Sequence, residues 1–333
     1  MRQLLQYHPT IGYQFIPGLK ARVLHENGGY LVRVNDMGFR SNREYVRMKK
    51  PGTRRILLFG DSFTAGDGVP NDKRYSDVLE TLVPNLEVYN YGLPGTGTDQ
   101  QYLTYKECAQ GFDHDLLLIA VLVENVKRVA NGYRYWVDDS GAQVLYAKPF
   151  YKLVQGELRL SGVPVPWKPV EESQLSPEDM RRLRPGSRFP RLAIIISLLG
   201  MREIQQRLME DIRKRLGKYQ PVPEYNDPAD PAWCLMRAIL IRWIREHPKP
   251  VLLMPIPGHF FVEETSDPTA YQERFREVRE ATGCFFHDPL EDLLTYPLVQ
   301  RRAFRYAKDP HLTPAGHIAL AKSLKSAIVR VLQ

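Results

Sequence analysis

The sequence predicts a three-layer α/β/α, flavodoxin-like domain with a parallel sheet and an inserted subdomain. Three observations carry that expectation. Strand and helix signals alternate between residues 55 and 122 in the order βαβαβ, the pattern of a parallel sheet covered by helices on both faces. Residues 116–122 and 250–256 are continuous apolar runs, as strands buried on both faces must be. A length of 333 residues exceeds one ordinary domain and falls short of two, which points to one large core carrying an insertion.

Taken in order, residues 1–50 read as a preface. Its β-prone stretches at 21–24 and 30–34 flank Asn27-Gly28-Gly29, so a hairpin capping the main domain is expected. The main domain is expected over 51–130 and 250–333. It opens with a strand at 55–59 that ends at Gly60, followed by a helix at 75–83, a strand at 86–91, a helix at 99–110 and the strand at 116–122. Over 131–249 the alternation breaks, and an inserted hairpin and helical subdomain is expected there. Residues 133–137 and 143–146 look like hairpin strands, 163–184 are rich in proline and charge, and 192–199, 203–216 and 231–246 look helical. The sheet then resumes with strands at 250–256 and 284–287 around a helix at 270–282. Thr313, with Pro314 in the first turn, starts a final helix that reaches Leu332.

Hydrophobic residues make up 43% of the chain and charged ones 25%, the composition of an ordinary folded protein. The 46 Lys and Arg against 38 Asp and Glu give a net charge of +8. These cations are spread, as at Lys49, Lys50, Arg54 and Arg55, then Arg181, Arg182 and Arg184, then Arg213, Lys214 and Arg215. With no nucleic-acid motif beside them they read as a solvated basic face, and no nucleic-acid partner is expected. Cys108, Cys234 and Cys284 are too scattered for a disulfide framework or a zinc site and read as buried thiols. No apolar run is long enough to span a membrane, and residues 1–9 hold no leader-like stretch, so a cytoplasmic location is expected if Met1 is the native start. No metal-ligand spacing, Walker loop or Gly-x-Gly-x-x-Gly turn appears, so neither a metal nor a nucleotide cofactor is expected.

Gly60-Asp61-Ser62-Phe63 directly follows the first main-domain strand, which places Ser62 on a tight strand-to-helix turn. Backbone N–H groups at such a turn suit a developing oxyanion, and they suit a bound phosphate equally. The far end of the chain supplies Asp309-Pro310-His311 just before the last helix. A serine is a poor nucleophile until a base takes its proton, and the base must itself be oriented. His311 and Asp309 offer those two functions, while Asp309 could instead cap a turn. His317, on the helix, reads as a packing residue, and Lys127-Arg128 as a solvated pair.

Four blocks in order make the chain resemble the SGNH/GDSL hydrolases. The first is Gly60-Asp61-Ser62-Phe63 and the second Asn90-Tyr91-Gly92-Leu93-Pro94-Gly95-Thr96-Gly97. The third is Val123-Glu124-Asn125-Val126, which departs from the usual Gly-x-Asn-Asp, and the last is Asp309-Pro310-His311, one residue shorter than usual. Residues 35–40, Asn35-Asp36-Met37-Gly38-Phe39-Arg40, look like the preface of family members encoded beside bacterial polysaccharide genes. The resemblance covers about 55–130 and 250–333. It implies Ser62 as nucleophile, His311 as base, Asp309 as its orienting group, and an oxyanion hole from the Ser62 and Gly95 N–H groups and the Asn125 side chain. It further implies an esterase or deacetylase acting on a small-molecule or glycan ester, such as an O-acetylated carbohydrate. An O-acyltransferase with the same triad and a non-catalytic binding module are the alternatives.

Overall fold

A computed structural model of the chain describes residues 4–137, 142–183 and 219–333. Two hairpins come first, β1 (Leu5–His8) with β2 (Gly12–Phe15) and β3 (Lys20–Val23) with β4 (Tyr30–Arg33), both antiparallel. The second is the hairpin expected around Asn27. Val23 pairs with Tyr30, so Leu24 falls into the turn, where it is exposed.

The central sheet comprises β5 (Arg54–Phe59), β6 (Leu86–Asn90) and β7 (Leu116–Leu122). Beyond the insertion it is joined by β12 (Val251–Ile256) and β13 (Phe285–Phe286). All its pairings are parallel, and the order β13-β12-β7-β5-β6 is the 2-1-3-4-5 arrangement of flavodoxin-like sheets. Successive residues of a strand point to opposite faces, which sorts the apolar runs into two cores. Leu57, Phe59, Leu117, Ile119, Val121 and Leu253 pack with Trp233, Ile239 and Trp243 of helix Pro231–Glu246 and with Phe275 of helix Thr269–Thr282. Ile56, Leu58, Leu118, Ala120 and Met254 pack with Leu79 of helix Tyr75–Leu82 and with Leu320, Leu324 and Ile328 of helix Pro314–Leu332. β7 and β12, covered on both faces, are therefore buried at every position, which is why the runs at 116–122 and 251–256 were legible.

Helix Pro231–Glu246 begins where Asp230 Oδ1 accepts the Ala232 and Trp233 N–H groups at 2.8 and 3.2 Å. The expected helix at 99–110 is an α-helix over Thr98–Thr104 that continues into a π-helical turn, Tyr105–Ala109. The last helix starts as expected, with Thr313 Oγ1 accepting the Gly316 N–H. Between β7 and β12 lie two hairpins, β8 (Tyr133–Val137) with β9 (Gln143–Ala147) and β10 (Phe150–Val154) with β11 (Glu157–Ser161). The second was not anticipated. Its turn residues Gln155 and Gly156 both have positive φ, 52° and 81°, the geometry of a two-residue hairpin turn. The helices expected at 192–199 and 203–216 lie outside the described residues. The three thiols are unpaired and half-buried rather than fully buried.

No helix among the described residues is long and apolar enough to cross a membrane. Three buried histidines carry structure. His114 Nδ1 bonds the Phe112 carbonyl at 2.7 Å, its Nε2 meets His247 Nε2 at 2.9 Å, and His247 Nδ1 meets the Tyr105 hydroxyl at 2.9 Å. His317 is fully buried, and its Nδ1 accepts the Tyr75 N–H at 3.2 Å. Burial, with neighbouring positive charge, lowers His247 to about 4 and His317 to about 3. Both stay neutral in the folded chain while the unfolded chain begins to take protons near the ordinary 6.5. The stability gained is complete above that pH and falls as pH drops toward the folded values, by about 1.4 kcal/mol per pH unit for each group. Urea unfolding at pH 7 and pH 5 should show this decline. His317→Asn, which keeps an acceptor for Tyr75, should flatten it; an unchanged slope would locate the acid sensitivity elsewhere.

Candidate active site

The residues singled out in the sequence gather beyond the carboxyl ends of β5, β6 and β7. β5 runs into Gly60, and the chain turns at once into the short helix Ser62–Ala65. A Cβ at Gly60 would stand 2.0 Å from Thr64 Oγ1 and 2.9 Å from the Ala120 carbonyl oxygen, so only glycine permits the turn. Asp61 Oδ1 accepts the Phe63 N–H at 3.0 Å and caps it. The second block is tied to the first by backbone and side chain. The Leu93 N–H donates to the Gly60 carbonyl at 3.2 Å, and Asn90 Nδ2 donates to the Thr64 carbonyl at 2.7 Å.

His311 reaches this turn from the opposite end of the chain. Its Nε2 lies 2.8 Å from Ser62 Oγ, and its Nδ1 is hydrogen-bonded to Asp309 Oδ1. The same oxygen accepts the His311 backbone N–H at 2.9 Å. The Phe63 ring packs against the imidazole with centroids 5.0 Å apart. Burial alone would make His311 less basic, but the hydrogen bond it donates to Asp309 and the carboxylates of Asp67, Asp309 and Asp61 raise it above its ordinary value. Burial likewise opposes ionisation of Asp309. The side chain, charge and N–H of His311, with a hydrogen bond from His25, outweigh it and hold the carboxyl well below the usual range.

Asn125 follows β7 and is fully buried. Its Oδ1 accepts from Arg128 Nη1 at 2.8 Å, which fixes the amide, and its Nδ2 has no partner among the described residues. Gly95 has φ +74°, a conformation that side chains strain to adopt, and its N–H is also unpartnered among the described residues. The Ser62 N–H, at the first position of its helix, has no intrahelical acceptor. These donors lie on the turns that follow β5, β6 and β7, and none of them has a partner among the described residues.

Arg128 corrects the expectation of a solvated cation. Its Nη1 donates to Asp61 Oδ2 at 2.7 Å, Asn125 Oδ1 at 2.8 Å and the Thr96 carbonyl at 3.1 Å, so one nitrogen touches the first three blocks. The cause is Asp61, which is fully buried and needs a compensating charge. The only sequence signal was the three-residue spacing of Asn125 and Arg128 on a helical turn. A second residue the sequence did not disclose is His25, whose Nε2 lies 3.1 Å from Asp309 Oδ2 across 284 positions. Among the described residues no group of three or more His, Cys, Asp or Glu side chains is placed to hold a metal ion.

No family model and no curated protein matches this sequence. Solved structures similar to it include a member of the lipolytic G-D-S-L family from Veillonella parvula, 11% identical, with a TM-score of 0.43 over 84% of this chain and 100% of that one. A lipase/acylhydrolase from Enterococcus faecalis is 15% identical with a TM-score of 0.42, over 84% of this chain and 94% of that one. An acetyl xylan esterase from Geobacillus stearothermophilus is 14% identical with a TM-score of 0.42, over 86% and 97%. The sheet order of this chain by itself is that of flavodoxin-like sheets.

Replacing Arg128 with methionine leaves Asp61 buried without its cation. Arg128→Met is therefore expected to lower unfolding free energy by about 2–3 kcal/mol, since removing one partner of a largely buried ion pair strands the other charge. Urea unfolding measures it, and an unchanged midpoint would mean that Asp61 has another source of compensation.

Proposed function

We propose that the chain is a serine hydrolase that cleaves carboxylic esters through an acyl-enzyme on Ser62. One observation carries this reading: Ser62 Oγ, His311 Nε2 and Asp309 Oδ1 form a continuous hydrogen-bonded relay, with 2.8 Å between hydroxyl and imidazole. Ser62 Oγ attacks the ester carbonyl as its proton passes to His311 Nε2, and the carbonyl π electrons move onto oxygen. The resulting oxyanion is held by Asn125 Nδ2 and the N–H groups of Gly95 and Ser62, the donors with no partner of their own. Collapse of the tetrahedral carbon breaks the bond to the alcohol oxygen, which leaves with the proton from His311. Water, deprotonated by the same imidazole, then releases the acid and restores Ser62.

Ser62→Ala should lower hydrolysis of p-nitrophenyl acetate by roughly a thousandfold or more while leaving the melting temperature nearly unchanged. His311→Ala should match that loss and His317→Ala should not; the reverse order would remove His311 from the site. Asn125→Ala is expected to lower kcat by roughly a hundredfold with little change in KM, because the oxyanion exists only in the transition state. A destabilised Asn125→Ala protein with wild-type kcat would make the residue structural.

The base works only when neutral. Because Asp309 raises His311 above its ordinary value, the acid limb of kcat/KM should lie above pH 6.5. Asp309→Asn should move that limb to lower pH while reducing the plateau, and a limb that stays in place would assign it to another group.

A further inference from the structure

The connection Asp309-Pro310-His311 is short, and its consequence is that one carboxylate oxygen does two tasks. Asp309 Oδ1 takes both the backbone N–H and the Nδ1 of His311, so nothing from His311 fixes the second oxygen. A carboxylate held at one oxygen can rotate about its Cβ–Cγ bond and lose its alignment with the imidazole. In this chain Oδ2 is engaged by His25 Nε2 at 3.1 Å.

His25 is itself rigidly placed. Its ring stands edge-on between Tyr306 and Tyr30, with centroids 4.4 and 5.9 Å away. Nδ1 lies 3.2 Å from Asn27 Oδ1, and that amide cannot flip. Asn27 Oδ1 accepts the Gly29 N–H at 3.1 Å, while Nδ2 donates to the Gly68 carbonyl and to the Tyr306 hydroxyl at 3.2 and 2.9 Å. With acceptors facing both ring nitrogens, the imidazole makes both bonds together only when both carry hydrogen. Glu26, between these residues, accepts the backbone N–H groups of Lys308 and Asp309, at 3.1 and 2.9 Å. Three consecutive side chains of one turn thus grip the loop that carries the base.

We infer that His25 is a positioning residue for the catalytic base, making the relay Ser62–His311–Asp309–His25, and that the N-terminal hairpin is an integral part of the active site. The inference rests on the hydrolase reading and deepens it: His25 Nε2–H locks the plane of Asp309, and Asp309 holds the tautomer and direction of His311. His25 touches no substrate and donates no proton to it.

The rate at which a fluorophosphonate labels Ser62 tests this without knowledge of the natural ester. Two replacements fill the slot between the tyrosines. His25→Gln keeps a donor near the place of Nε2, and His25→Met does not. The methionine variant should label about ten to a hundred times more slowly than wild type, the glutamine variant within about threefold of it, with matching changes in kcat on p-nitrophenyl acetate and little change in KM. Methionine at the wild-type rate, or both variants slowed alike, would overturn the inference, and so would a lowered melting temperature with an unchanged labelling rate of the folded protein. A wild type that does not label at Ser62 defeats the hydrolase reading and any role of His25 within it. If His25→Met does not fold, 15N NMR of the histidines in folded wild type decides. The His25 Nε2 resonance should be that of a protonated donor and should shift in Asp309→Asn, and a resonance that stays in place would overturn the proposed bond.

Discussion

At the carboxyl end of β5 three backbone segments are drawn so close that one methyl group at position 60 would collide with Thr64 Oγ1 and with the Ala120 carbonyl. Close packing is possible there because β5 is flanked by β6 and β7 in a sheet covered on both faces. The same closeness removes water from the turn that carries Ser62, which leaves Asp61 fully buried. A buried carboxylate requires a cation, and Arg128 supplies it. Arg128 then fixes the amide of Asn125 and ties Thr96 to the same nitrogen. The packing of one strand end thereby determines the polar order of three loops.

The buried charges around the central sheet are held by partners. Asp99, behind the second block, is fully buried and paired with the equally inaccessible Lys148. Arg55, at the other end of β5, donates to Glu87 at 2.6 Å and to the Val46 carbonyl at 2.8 Å. Asn125 Nδ2 and the Gly95 N–H have no partner among the described residues, as is also true of Thr98 Oγ1 and the Gln101 amide on the helix that follows the second block.

The first fifty residues take part in this order at several points. The Tyr13 hydroxyl donates to the Pro94 carbonyl in the second block at 2.7 Å. Arg40, buried in the motif that begins at Asn35, donates to the Gly66 and Val69 carbonyls at 2.7 Å each and holds the loop after the Ser62 turn. The turn at His25 grips the loop of Asp309 and His311. The loops at these strand ends are thus held in part by side chains from the first fifty residues.

The sequence by itself determined the parallel sheet, the order of its strands along the chain, the turn at Gly60 and the start of the last helix. Each of these is written locally, as an apolar run, a glycine after a strand, or a Thr-Pro cap. It also named Ser62, Asp309 and His311 as candidates through residue types that state their chemistry, and Gly95 and Asn125 through the resemblance to the SGNH/GDSL hydrolases. The π-helical turn at Tyr105–Ala109 was not legible, since the sequence there reads as a continued α-helix. Tertiary structure alone decided that Arg128 is a bridge rather than a solvated cation and that His25 meets Asp309. The physical reason is the same in both cases: the charge or carboxylate that gives each side chain its role lies 67 or 284 positions away, and only the folded chain brings it within hydrogen-bond reach.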